Sequence, residues 1–97
     1  MSKHLLAVSM ISALFGPISA FGASAATCRN YARYAVEDYK LTTTAGKKKC
    51  QIKSDARWHA DYNAHYKWCL SAPVEWIRSE EKARNTHLMN CGARATY

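Results

Sequence analysis

Three stretches of the chain repeat apolar and aromatic residues at helical intervals, and none alternates them as a strand would. The first covers residues 28–41, where Tyr31, Ala32, Ala35 and Tyr39 follow Cys28 on one face. The β-branched run Thr42-Thr43-Thr44 is expected to end it by crowding, and Ala45-Gly46 opens a loop. The second is expected to start at Ser54-Asp55, an N-cap residue followed by an acid in the positive first turn. Its stripe is Trp58, Tyr62, His65 and Cys69, in steps of 4, 3 and 4. The third opens at Pro73, which suits the first helical position, with Glu75 in the first turn. Its face carries Ile77, Glu81, Arg84, Leu88 and Cys91, Gly92 follows as a C-cap, and residues 92–97 are expected to fray. The pattern predicts an all-α fold, a small three-helix bundle running up, down and up.

The start of the chain has another character. Met1-Ser-Lys-His4 is a short basic opening, residues 5–22 are apolar but broken by Pro17, and Ala23-Ser-Ala-Ala26 supplies the small residues a signal peptidase needs. Residues 1–26 are therefore expected to be a cleaved export signal, cut after Ala25 or Ala26, with residues 27–97 as one helical domain. The competing readings are an uncleaved membrane anchor and a lipoprotein. Pro17 and the small-residue tail speak against the first, and Thr27 before Cys28 against the second. The expected location is secreted or periplasmic, with no membrane span in the mature chain.

Export changes the meaning of the cysteines. In an oxidising compartment Cys28, Cys50, Cys69 and Cys91 read as two disulfides. No CxxC pair is present, which excludes zinc-ribbon and thioredoxin-like spacing. Short links make neighbouring helices antiparallel. Cys28 and Cys69 then lie at one pole of the bundle, and Cys50 and Cys91 at the other. Pairing Cys50 with Cys69 would span about 28 Å along helix two at 1.5 Å per residue. A disulfide needs Cα atoms within about 7 Å. Pairing Cys69 with Cys91 fails in the same way along helix three. The expected bridges are Cys28–Cys69 and Cys50–Cys91.

Composition narrows the function. Ninety-seven residues, less the signal, leave room for one small domain that needs staples. No GxGxxG, GxxxxGK or second long apolar run occurs, which excludes nucleotide-binding α/β folds and multi-span membrane proteins. Six Tyr and three Trp, all beyond residue 26, argue against a disordered tail. The chain carries a net charge of +7, concentrated at Lys47-Lys48-Lys49 with Lys53 nearby. That run lies in a loop beside Cys50 and is a candidate contact for anionic lipid, lipopolysaccharide or polysaccharide. The plain alternative is a solvated loop. Nucleic acid is not the expected partner of an exported protein. Tyr34, Tyr66 and Trp68 are candidates for stacking on sugar rings, although Tyr and Trp also suit small cores with wet edges.

The densest candidate chemistry is on the second helix: Trp58, Asp61, Tyr62, His65, Trp68 and Cys69. Asp61 and His65 are spaced so that the carboxylate can orient the imidazole, as a general base or as a structural pair. His59 would lie about 120° round a regular helix from His65, so the two would not chelate one metal. Glu81 and Arg84 sit mid-face on helix three and are expected to meet Asp61 or Tyr62, either as a helix–helix ion pair or as part of a ligand pocket. No serine or free thiol is placed as a nucleophile, so no catalytic residue, metal or cofactor is expected.

Cys28-Arg-Asn-Tyr31-Ala32, Ala35-Val36, Cys50, then Trp58 with His65 and Trp68-Cys69, then Cys91, together resemble a short cysteine-rich module of secreted alphaproteobacterial proteins. The resemblance covers residues 28–91 and implies export, a helical fold and a bacterial source. The module carries no established activity. The chain departs from it in lacking a glycine shortly before Trp58 and in its tri-lysine loop. The function expected on these grounds is a non-catalytic binding or structural role toward an anionic envelope component, a glycan or another protein. Two alternatives stand beside it: a secreted effector or toxin, and a small hydrolase or metal enzyme using Asp61 and His65.

Overall fold

The computed structural model describes residues 22–95, in which three α-helices are arranged as a small bundle with two disulfides. The helices are α1 (Ala25–Thr44), α2 (Tyr62–Ser71) and α3 (Val74–Asn90), with a 3₁₀ turn at Lys48–Cys50. No strand occurs among the described residues. Helix α1 is the hub, and α2, α3 and the 3₁₀ turn all pack against it. Most of the expected export signal, residues 1–21, lies outside the described residues, as do residues 96–97.

Helix α1 starts earlier than the periodicity predicts. Ser24 caps it, its Oγ accepting from Thr27 N at 3.1 Å, and Ala23 packs against the core. The expected boundary at residue 26 thus falls inside the first turn, so a cut there would remove the cap. The far end is also later than expected. Thr42, 1% exposed, donates its hydroxyl to Tyr39 O, and Thr44 donates to Lys40 O. Bonding back to carbonyls of the preceding turn keeps these threonines helical. The chain turns away only at Gly46, whose φ of 71° suits a residue without a Cβ.

The larger correction concerns the second helix, which begins at Tyr62 and not at Ser54-Asp55. Asp55 closes a tight turn instead: its Oδ1 accepts from both Arg57 N and Trp58 N at 2.9 Å, and its own N–H donates to Trp58 O at 2.9 Å. An aspartate that bonds its own downstream backbone competes with the helix it was expected to start. Residues 51–61 form a strap across the bundle. It drives Trp58 into the interior, where the residue is 4% exposed and its ring meets His87 edge-on at 5.3 Å. His87 in turn donates from Nε2 to Cys50 O at 2.9 Å. The true cap of α2 is Asp61, whose Oδ1 accepts from Ala64 N at 3.1 Å. Asp61→Ala is expected to lower stability by about 1 kcal/mol, the usual worth of such a cap, in urea melts followed by circular dichroism.

Helix α3 follows the expected face, with Ile77, Arg84 and Leu88 buried. Gly92, at φ 87°, closes it: Ala93 N donates to Leu88 O and Gly92 N to Met89 O. The expected fraying of residues 92–97 does not hold for residues 92–95. Arg94 reaches back to Asp38 at 2.7 Å and also bonds Asn85, tying the segment to α1 and α3. Backbone bonds from Ala93 and Arg94 to Leu88 O hold it together with this charged tie, for which periodicity carries no signal.

The disulfides are those reached by elimination: Cys28–Cys69 with Cα atoms 5.5 Å apart and Cys50–Cys91 at 5.1 Å. All four cysteines are buried, and the first bridge is the centre of a core with Tyr31, Ala72 and Ile77. Ile77 and Leu88 are the only buried aliphatic side chains larger than alanine among the described residues, so the bridges supply packing as well as covalent restraint. No described helix is long and apolar enough to cross a membrane.

Candidate binding cleft

A cleft of about 280 Å³ opens where the strap crosses the bundle, lined by Tyr31 of α1, Arg57 and His59 of the strap, His65 and Trp68 of α2, and Glu80 and Arg84 of α3. The local folding of the strap places most of these groups. Once Asp55 turns the chain, Arg57 points to α3, where its Nε and Nη2 meet the two Glu80 oxygens at 2.8 and 3.2 Å. His59 then lies flat on His65, ring centroids 3.8 Å apart and planes 2° from parallel. The expectation that these histidines diverge round one helix fails because His59 precedes α2. Stacked rings hold their in-plane nitrogens side by side, so the pair still does not converge on one ion. Among the described residues no three His, Cys, Asp or Glu side chains gather as metal ligands.

The hydrogen bonds fix the histidine roles. His65 Nε2 lies 3.0 Å from His59 O, and a carbonyl only accepts, so Nε2 carries the proton. His59 Nδ1 accepts from Asp61 N at 3.1 Å. The anticipated Asp61–His65 side-chain pair is not formed: the Asp61 carboxylate caps α2 while the His65 ring faces the strap. Burial holds the pKa of His65 below its ordinary 6.5, against the bond to His59 O, which raises it; His59 and Arg84 lower it and Asp61 raises it more weakly. The folded state thus favours neutral His65. Its contribution is fully present above pH 6.5 and declines as pH falls below that value toward the folded pKa. The wild type is expected to lose stability between pH 7 and pH 5, and His65→Gln, which keeps an N–H donor but does not titrate, to flatten that loss in urea melts. Glu81, raised mainly by burial, acts in the opposite sense, so the difference between the two proteins isolates His65.

Arg84 is the least expected member. It is 2% exposed, and neither Asp61 nor Tyr62 is its partner. Its Nη2 donates to Tyr31 Oη at 2.8 Å, its Nε donates to Arg57 O at 3.3 Å, and its guanidinium carbon lies 5.0 Å from the Tyr31 ring centroid. No carboxylate comes within 4.0 Å of it among the described residues, where the ion pairs are Arg33–Glu37, Arg57–Glu80 and Arg94–Asp38. Burial raises the pKa of the Tyr31 phenol against the lowering effect of Arg84. The Arg57 guanidinium holds Glu80 below the usual carboxylate range. Glu80 is therefore an anion balanced by Arg57, and Arg84 has no carboxylate in direct contact.

The remaining candidates divide by position. Lys47, Lys48, Lys49 and Lys53 are all exposed and none is ion-paired among the described residues. Tyr34 is 50% exposed under the Arg33 guanidinium and does not line the cleft. Tyr66 is half-buried against the core and stacks on Tyr62. Trp68 is 36% exposed and forms one wall of the cleft beside Tyr31, with centroids 5.6 Å apart. Trp58 is buried and is corrected from candidate contact to core residue. Sequence reasoning missed Tyr31, Arg57, His59 and Glu80, since a helix drawn through residues 54–69 sends Arg57 and His59 elsewhere. The Asp55-x-Arg57-Trp58 spacing of a side-chain-closed turn was the available signal. No protein-family model matches the chain, and neither curated proteins nor solved structures give a match.

Proposed function

We propose that this protein is a non-catalytic binding module of the bacterial envelope or extracellular space, holding an anionic or glycan partner on its basic surface. The observation that carries the reading is the set of exposed lysines, Lys47, Lys48, Lys49 and Lys53, clustered at one pole without carboxylate partners among the described residues. Unpaired cations packed into one loop raise the local potential and attract polyanions. Two buried disulfides suit an oxidising compartment, where such bridges persist. The reading of Asp61 and His65 as an acid–base pair has less support, because the Asp61 carboxylate is turned to the backbone of α2.

Oxidised protein is expected to be retained by acidic polysaccharide, lipopolysaccharide or anionic liposomes at low ionic strength and released as salt shortens the Debye length. Changing Lys47, Lys48 and Lys49 together to alanine is expected to weaken that retention without altering the far-UV spectrum. Absence of binding to all three materials at low salt would remove the proposal.

A further inference from the structure

We infer that the cleft around Arg84 is a site for an acidic sugar, a ring bearing one carboxylate and several hydroxyls; the inference rests on the glycan reading above and assigns it a place. Arg84 is buried, uses Nη2 and Nε on Tyr31 and Arg57, and leaves Nη1 without a hydrogen bond among the described residues. No side-chain nitrogen or oxygen that is fully buried there lacks a partner, so Nη1 keeps an opening, and the cleft is what Arg84 lines. A guanidinium taken out of water with no carboxylate in direct contact, and with Glu80 and Glu81 only within its longer-range field, has donor capacity left for a ligand carboxylate.

Glu80 lines the same cleft as an anion, so a dianion such as phosphate meets repulsion there. A carboxylate oxygen has more lone pairs than the Arg57 fork occupies, and hydroxyl groups donate to them. His59 presents a second polar edge, and the half-exposed Trp68 ring supplies the apolar face on which a sugar ring lies. A donor without its anion, a carboxylate with spare acceptor sites and an aromatic wall match an acidic sugar better than a neutral sugar or a bare anion. The volume, about 280 Å³, lies just under the range of small-molecule sites at ~300–1,000 Å³ and holds one sugar unit, with the open side left for the rest of a chain.

The test is a titration of ¹⁵N-labelled oxidised protein with galacturonate, oligogalacturonate, galactose and inorganic phosphate at low salt. Galacturonate is expected to move the indole N–H of Trp68 and the Nε–H of Arg84, with galactose and phosphate at least about tenfold weaker, the usual worth of one charge-assisted contact. Trp68→Ala and Arg84→Lys are each expected to weaken galacturonate about tenfold or more, by the same reasoning. Trp68→Ala decides the matter if Arg84→Lys fails to fold, since that ring is half-exposed. Equal binding of galactose or phosphate, or undiminished binding by the folded cleft variants, overturns the inference. If the lysine-loop variant loses oligogalacturonate while the cleft variants keep it, the cleft assignment falls and the glycan reading stands. If no probe binds, the cleft assignment falls, and retention by polysaccharide, lipopolysaccharide or liposomes decides the reading on which it rests.

Discussion

Reduction of the two disulfides is expected to unfold the protein at room temperature. Each bridge joins cysteines 41 positions apart in sequence. Closing a loop of that size stabilises by about 4 kcal/mol in the chain-entropy model, and the two loops overlap, so their effects do not add fully. Native domains of ordinary size hold only about 5–15 kcal/mol in total. This one has Ile77 and Leu88 as its only large buried aliphatics among the described residues, and the cystines fill much of the interior. Reduction removes restraint and tight sulfur packing together. Far-UV circular dichroism with and without reductant measures the outcome. The pair Cys28→Ser with Cys69→Ser is expected to cost about 4 kcal/mol in urea, at the upper end of single-bridge effects. A reduced protein that keeps its helical signal and its melting midpoint would show that helix packing alone suffices.

Trp58→Ala is expected to be the most damaging single substitution outside the cysteines, at about 3–5 kcal/mol, the range for truncating a buried aromatic. Trp58 is the one buried residue of the strap: its ring packs on His87, and its backbone closes the Asp55 turn. The strap also supplies Arg57 O to Arg84, the Arg57 guanidinium to Glu80, and His59 to the stack on His65. Loss of the anchor is therefore expected to disturb the cleft before the helices. The ring-stacked histidine signals in NMR spectra should broaden at denaturant concentrations where helical content is still native. Simultaneous loss of both would mean that strap and bundle melt as one unit.

Much of the architecture was legible because it rests on period and covalent geometry. Cys28, Tyr31, Ala32 and Ala35 are buried as their spacing predicts, while Tyr39 of the same stripe is only half-buried. Ile77, Arg84 and Leu88 do the same on α3. The disulfide pairing followed from which cysteines share a pole. The pairing held although the helical span used to exclude Cys50–Cys69 is not there, since α2 begins only at Tyr62. The cleft was less legible. Periodicity reads Trp58, Tyr62, His65 and Cys69 as one stripe, yet Asp55 spends its carboxylate on a turn and Asp61 caps the helix six residues later. Both residues are good caps, and only the burial of Trp58 decides between them.

What the sequence determined alone is the helical class, the order of the helices, the two bridges and the basic loop. Each is local in the chain or forced by the reach of a covalent bond. The tertiary structure decided where the strap lies, that Arg84 is buried beside Tyr31 without a carboxylate, and that His59 stacks on His65. Those contacts join residues 53, 27 and 6 positions apart, and their partners are chosen by packing and desolvation, which no periodicity encodes.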